Sequence, residues 1–420
     1  MREMKDSGIS WVGEIPKEWS VNRAKYCFVN TKEIAGCMSD RYERLALTMN
    51  GVIKRSKDDS NGLQPEKFET YQILRPDELV FKLIDLQNVS TSRVGLSPYL
   101  GLVSPAYIIL KSNKRVLPAF AEKYFLMLWK NQIFNALGDA GVRSNLNSKD
   151  LLELSIPFPT FDEQQQIADF LDRECGKIDG LKADIQVQID TLEQYKRSVI
   201  TEAVTHGLNP SAPMKDSGIP WVGEIPAKWA VLPIYCVYGE RKRKNVFGTE
   251  QNLLSLSYGK VIRKDINTNG GLLPSNYNGY NIIEKNDIII RPTDLQNDRT
   301  SLRTGLVKEH GIITSAYIAL KPKNRVSSKF YHYLLHSYDV KKVFYNMGNG
   351  VRQGLNYGEF AKLMVYYPPL DEQQEIADYL DNKCAAIEQI IADKKSQIET
   401  LDGYKKSLIY EYVTGKKEVV

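Results

Sequence analysis

Two histidines, His332 and His336, stand four residues apart, a spacing that puts two imidazoles on one helical face where they can share a metal ion. No third ligand accompanies them. Neither they nor His206 and His310 recur at any regular offset, so core or surface histidines are the expected reading. Pro76–Asp77 with Lys82 downstream is the nearest approach to a nuclease centre, but Lys82 is not the lysine of an acidic-x-Lys element. Gly176–Lys177 and Gly259–Lys260 lack the rest of the phosphate-cradling G-x-x-x-x-G-K-[ST] loop. No [DNS]-P-P-[FYW] tetrapeptide, which clamps a base for amino methylation, occurs: Pro368–Pro369 follows Tyr367 and precedes Leu370. Carboxylates such as Glu14 and Asp85 have no spacing that fixes a pair. The chain reads as a binder, with no catalytic residue and no metal site expected.

Polar and basic stretches offer the binding chemistry. Leu83–Arg93 (LIDLQNVSTSR) and Pro292–Arg303 (PTDLQNDRTSLR) each gather Asp, Gln, Asn and Arg in one turn-rich segment. Gln and Asn pair with adenine edges, Arg with guanine, and Ser, Thr and Arg hold phosphates. The candidate DNA contacts are Lys82, Asp85, Gln87, Asn88 and Arg93, and then Arg291, Asp294, Gln296, Asn297, Arg299 and Arg303. Gly141–Asn147 (GVRSNLN) adds Arg143 and Asn145, while Gly350–Asn356 (GVRQGLN) adds Arg352, Gln353 and Asn356. Lys54, Arg55 and Lys57, the run Arg241–Lys244, and Arg263 with Lys264 supply charge for phosphates. Any one of these residues also suits a solvated loop; their appearance twice in matching places favours a site. Trp11, Trp19, Trp221 and Trp229 flank Val-Gly-Glu-Ile-Pro and are expected to anchor a strap in the core rather than to stack on bases.

These matching places belong to a repeat. KDSGISWVGEIPKEW at Lys5–Trp19 returns as KDSGIPWVGEIPAKW at Lys215–Trp229, and DEQQQIADFLD at Asp162–Asp172 returns as DEQQEIADYLD at Asp371–Asp381. The offsets are 209 or 210, half of the 420 residues, and Cys27 with Cys236 and Cys175 with Cys384 obey them too. One unit is written twice, which implies a pseudo-two-fold molecule.

The elements that must carry the loops can be placed from periodicity. Each copy opens with about 155 residues that combine short β-rich runs and turns with one amphipathic helix, over Pro118–Leu137 in the first copy and Ser328–Met347 in the second. Its last fifty or so residues show an apolar heptad: Leu171, Ile178, Ile185, Leu192 and Val199, with Cys175, Leu181, Ile189 and Tyr195 between. The second copy has Leu380, Ile387, Leu401 and Leu408, with Cys384, Ile391, Ile398 and Tyr404 between, and Lys394 interrupts it. Asp162 with Gln165, and Asp371 with Gln374, suit helix starts; Gly207 and Gly415 suit the ends. Each helix of about 42 residues spans about 63 Å. A narrow stripe needs a partner, so the two helices are expected to pair antiparallel, with one globular domain at each end of a rod.

Composition agrees with this reading. The chain is 42% hydrophobic and 25% charged, with 56 basic against 51 acidic residues and a net charge of +5. No apolar run approaches the ~18 residues of a membrane helix, the opening MREMKDSG lacks a signal core, and five cysteines include no CxxC pair. A reduced, cytoplasmic, metal-free protein is the expectation.

The paired motifs KDSGI-x-WVGEIP-x-x-W and P-x-[LF]-DEQQ-x-IAD-[FY]-LD resemble those of the DNA-specificity subunit of type I restriction–modification systems, over essentially the whole chain. The resemblance implies an α+β protein in which residues 1–157 and 210–367 are target-recognition domains and residues 158–209 and 368–420 are long helices. It implies a subunit without catalysis. Each domain reads one half of a split duplex DNA target, and the helices set the spacer and dock two adenine-N6 methyltransferase subunits that carry S-adenosylmethionine. ATP-driven restriction subunits can join that core. The family's reading loops vary, so no base-contacting residue transfers. A protein-binding coiled-coil scaffold and a stand-alone methyltransferase or nuclease are the alternatives. The first leaves the matched loops unexplained, and the second lacks its motifs.

Overall fold

The computed structural model describes residues 2–59, 67–86, 91–137, 145–266, 276–293, 295, 302–323, 325–347 and 354–419. Two compact units divide the chain: Met1–Gln186 with Lys395–Val420, and Val187–Lys394. Neither unit is a half of the sequence. Each combines one globular domain, the opening turns of the long helix that follows it, and the closing turns of the other long helix.

In the first unit, strands Phe28–Thr31, Ile108–Ser112, Leu79–Phe81 and Val94–Leu96 form an antiparallel sheet in that order. Ile109 lies opposite Val80, and Leu110 opposite Leu79. Successive side chains leave a strand on opposite faces, so this sheet is buried on both sides. Val80 and Ile109 pack with Leu45, Leu47, Val52 and Val103 of the second sheet. Leu79, Phe81 and Leu110 pack with Phe120, Tyr124 and Phe125 of helix Pro118–Lys130. The second sheet runs Gly51–Arg55, Arg44–Thr48, Gly101–Val103, Gln72–Leu74. A Cβ on Gly101 would meet the Glu43 carbonyl oxygen at 2.6 Å, so this strand approach admits only glycine.

The Val187–Lys394 unit repeats the plan. Tyr238–Glu240, Ile318–Pro322, Ile288–Ile290 and Thr304–Leu306 make the sheet, and helix Ser328–Val340 covers one face. Gly311 takes the place of Gly101, with the Asn252 carbonyl 2.5 Å from any Cβ. The helices expected over Pro118–Leu137 and Ser328–Met347 both stop early. Gln132 and Lys342 have φ of 62° and 60°, and such left-handed residues end an α-helix. The chain continues as helix Ile133–Leu137 in one copy and a 3₁₀ turn Val343–Asn346 in the other.

The long helices run Phe161–His206 and Leu370–Val413. Within the first unit, Lys405 reaches the Asp179 carboxylate at 2.6 Å and Lys182 reaches Asp402. Within the other, Lys196 reaches Glu388 and Lys394 reaches Gln188. Numbers rise along one helix as they fall along its partner, so the pairing is antiparallel. Leu171, Ile178, Leu380, Ile387 and Leu408 are buried in the seam; Ile185, Leu192, Val199 and Leu401 are half-buried. Three expected seam residues, Leu181, Tyr195 and Tyr404, are instead about half exposed. They sit one position off the true second row, which runs through Cys175, Lys182, Ile189 and Lys196, and through Cys384, Ile391, Ile398 and Lys405. Lys394 therefore interrupts nothing: it is one of four half-buried seam lysines whose stems pack while their ammonium groups reach a partner.

The helix starts also differ from expectation. Thr160, not Asp162, caps the first helix, its hydroxyl accepting the Glu163 N–H. Asp162 and Asp371 lie inside the first turn, where their charge still favours the helix dipole. Gly207 and Gly415 follow the helix ends with φ of 75° and 70°.

Candidate nucleic-acid interface

The residues at the bases of the two loop families that the sequence singled out lie side by side in each unit. Leu83 and Leu86 are buried and fasten the base of the first loop. The Leu146 N–H donates to the Leu83 carbonyl at 3.0 Å, and the Asp85 N–H donates to Asn145 Oδ1 at 3.1 Å. In the other unit the Leu355 N–H donates to the Pro292 carbonyl at 3.0 Å, and Leu295 is buried. The bases of the D-L-Q-N segment and of the glycine-rich segment are thus joined, twice, although some 60 residues separate them in the chain.

Arg93 and Arg303 hold these loops rather than face solvent, a correction to their reading as exposed contacts. Both are fully buried. Arg93 Nη2 donates to the Asp85 carbonyl, and Arg303 Nη1 donates to the Thr293 carbonyl at 2.5 Å. The Arg303 guanidinium also lies 5.2 Å from the centre of the Tyr345 ring. Burial pushes the Arg93 pKa down, and burial with the neighbouring Arg93 charge does the same to the half-buried Lys82. Arg291 is half-buried, its carbonyl 3.4 Å from Arg303 Nη1. Asn356 is exposed but serves as the cap of helix Tyr357–Phe360, in a reciprocal box with Glu359. Asn145 is exposed and engaged with Asp85. Gln87, Asn88, Arg143, Asp294, Gln296, Asn297, Arg299, Arg352 and Gln353 lie outside the described residues.

The phosphate candidates divide by unit. Lys54, Arg55 and Lys57 line a cleft of about 440 Å³ together with Arg41 and Arg44, two cations that no repeated motif marks in the sequence. Lys54 pairs with Glu43 at 2.6 Å and Arg55 with Asp59 at 2.6 Å. In the other unit Arg263 pairs with Glu309, which raises its pKa, and Lys264 is exposed. Arg241 is turned inward onto the buried Asp287. His332 and His336 have rings 6.5 Å apart, and among the described residues no group of three His, Cys, Asp or Glu can hold a metal.

The conserved-looking repeat motifs are fasteners. Trp19 and Trp229 are buried, and their Nε1 groups donate to Glu163 and Glu372 of the two DEQQ segments at 2.9 and 3.0 Å. Gln164 is buried, its Oε1 accepting the Leu117 N–H at 2.8 Å and its Nε2 donating to the Pro159 carbonyl at 3.1 Å. Gln373 does the same with Ser327 and Pro368. Gln165 and Gln374, expected at the caps, instead bond one turn on to Asp169 and Asp378. Strap, sheet-covering helix and long helix are thereby locked together.

No described helix is long and apolar enough to cross a membrane. The chain is 23% identical to the MjaX specificity subunit of a type I restriction enzyme from Methanocaldococcus jannaschii, over 97% of this chain and 96% of that protein. It is 21% identical to the StySPI specificity subunit of Salmonella potsdam, over 85% of this chain and 81% of that protein. A solved chain from a study of complex assembly and conformational transition in a type I R-M system matches the fold with a TM-score of 0.69, at 12% identity, over 96% of this chain and 99% of that one. The model of the type I restriction modification DNA specificity domain matches residues 84–190 and 240–400, more than half of the sequence, and the chain belongs to that family of specificity subunits.

Proposed function

We propose that each unit reads one half of a bipartite duplex DNA target through its paired loops, without chemistry of its own. The observation that supports this is the backbone bond between the two loop bases, Leu146 to Leu83 and again Leu355 to Pro292, which joins the bases of both polar loops in each unit. Base edges in a groove are read by such clustered Gln, Asn and Arg side chains, and the surrounding lysines and arginines neutralise phosphates. The two long helices set the spacer between the half-targets and dock two adenine methyltransferase subunits, which hold the S-adenosylmethionine; restriction subunits can add to that assembly. Apolar side chains left in solvent on the helices support docking: Leu181 and Tyr404 in one unit, Tyr195 and Ile390 in the other.

Methylation mapping in cells carrying this chain and its methyltransferase tests the proposal. The expected pattern is a split motif. Gln87→Ala and Gln296→Ala should each relax one half only, at about 1–3 kcal/mol per lost base contact. A uniform loss of affinity on every DNA sequence would refute base reading by these glutamines.

A further inference from the structure

The Val187–Lys394 unit carries an exposed aromatic that its counterpart lacks. After strand Tyr238–Glu240 and the basic run Arg241–Lys244, the chain makes the turn Asn245–Gly248. Asn245 is buried, its Nδ2 donating to the Glu250 carbonyl at 2.9 Å and its Oδ1 accepting the Glu250 N–H at 3.2 Å. Its own N–H donates to the Tyr280 carbonyl at 3.0 Å, and the Gly248 N–H closes the turn onto the Asn245 carbonyl at 2.9 Å. On this pinned base the two tip side chains project into water: Val246 is 61% exposed and Phe247 is 89% exposed.

The tip has charged flanks and a defined neighbourhood. Lys242 and Arg243 are largely exposed, with Glu240 at 2.8 Å from Lys242 and Glu284 at 3.6 Å from Arg243. Lys242 also lines a cleft of about 400 Å³ with Tyr317 and with Pro292, Leu355 and Asn356, which stand at the bases of this unit's two reading loops. The first unit has the same turn, with the Ala35 N–H on the Tyr71 carbonyl and the Met38 N–H on the Ala35 carbonyl, but its tip is Gly36–Cys37.

We propose that Phe247 is a wedge that enters the duplex at a base step beside the half-target read by this unit, while Lys242, Arg243 and Lys244 hold the flanking phosphates. Apolar side chains on basic loops part base steps in this way, and a stacked aromatic ring recovers part of the lost stacking. Because the turn is already pinned, little order has to be imposed on binding. The inference rests on the DNA-reading proposal and makes the two half-targets unequal: one is wedged, the other is not.

The test uses the full chain with its methyltransferase subunits and duplexes of the mapped target. Each duplex carries 2-aminopurine at one position in or beside a half-target, avoiding the methylated adenine, which a methyltransferase itself extrudes. A fluorescence rise is expected at one step beside the half read by the Val187–Lys394 unit. Phe247→Ala should abolish it and weaken binding roughly tenfold, within the range for one base–aromatic stack, while Phe247→Trp keeps both. Failure of the unaltered chain to select its target would refute DNA reading itself. Selective binding with the same fluorescence and affinity in Phe247→Ala would overturn the wedge alone. Loss of methyltransferase assembly in Phe247→Ala, with DNA affinity intact, would mark the tip as a protein contact and overturn it too.

Discussion

Neighbouring glutamines in the DEQQ motif should behave in opposite ways. Gln164 is buried and satisfies two backbone groups, the Leu117 N–H and the Pro159 carbonyl, whereas Gln165 is exposed and bonds only Asp169. Leu117 precedes helix Pro118–Lys130 and Pro159 precedes the long helix, so one side chain fastens two elements. Gln164→Leu preserves size but strands both groups, and each buried group left without a partner costs about 1–3 kcal/mol, or about 2–6 kcal/mol together. For a folding unit of about 150–250 residues, roughly 2–4 °C is lost per kcal/mol, which predicts a fall in Tm of about 10 °C and no less than about 4 °C. Gln165→Leu removes one exposed i,i+4 bond worth about 0.2–0.5 kcal/mol and should move Tm by no more than about 2 °C. Differential scanning calorimetry of the two variants decides the matter. Equal shifts, or a Gln164→Leu variant that melts with the unaltered chain, would refute the fastening role.

The seam should distinguish apolar from lysine positions: Leu408→Asp puts a carboxylate in a buried site and should cost about 3–5 kcal/mol, whereas Lys405→Met keeps the stem and should stay within about 1 kcal/mol, both read by urea unfolding. Acid should loosen one unit selectively, because all four histidines lie within Val187–Lys394 and burial pushes His332 and His336 down to about 3 and about 4. The unfolded chain takes up protons below about pH 6.5 while these rings stay neutral, so stability present above that pH is lost on acidification, about 2 kcal/mol per ring by pH 5. His310, raised by Glu284, works the other way but is exposed and screened; hydrogen exchange at pH 7 and pH 5, corrected for intrinsic rates, should show faster opening in that unit only. One helical turn inserted between Ala183 and Asp184 adds about 5.4 Å against about 3.4 Å per base pair, so methylation mapping should find unchanged half-targets and a spacer longer by one or two base pairs. An active variant with the original spacer would show that the helices do not set the gap.

The duplication, the order of domain and helix, and the existence of a helical seam were all legible in the chain, because periodicity and self-similarity are properties of residue order. So was the family, carried by the tryptophan strap and the DEQQ segment. That the strap tryptophans anchor in the core was legible too, and Trp19 and Trp229 are buried there; the partners that these motifs fasten were not. Trp19 meets Glu163 across 144 positions, and Gln164 meets Leu117 across 47, and neither contact leaves a mark in local spacing. The seam shows the same division. An apolar heptad announces itself, yet only packing reveals that Lys182, Lys196, Lys394 and Lys405 sit in the seam while Leu181, Tyr195 and Tyr404 do not. A shift of one residue turns a side chain about 100° around a helix, and lysine stems bury as readily as leucine when the ammonium group finds a carboxylate or an amide. Arg93 and Arg303 looked like contacts because arginine in a polar loop usually faces water; burial beneath their own loops made them supports. Residue order alone determined which loops are alike, whereas the long-range backbone bonds between their bases, and the inward or outward turn of each cation, depended on how distant segments close around one core.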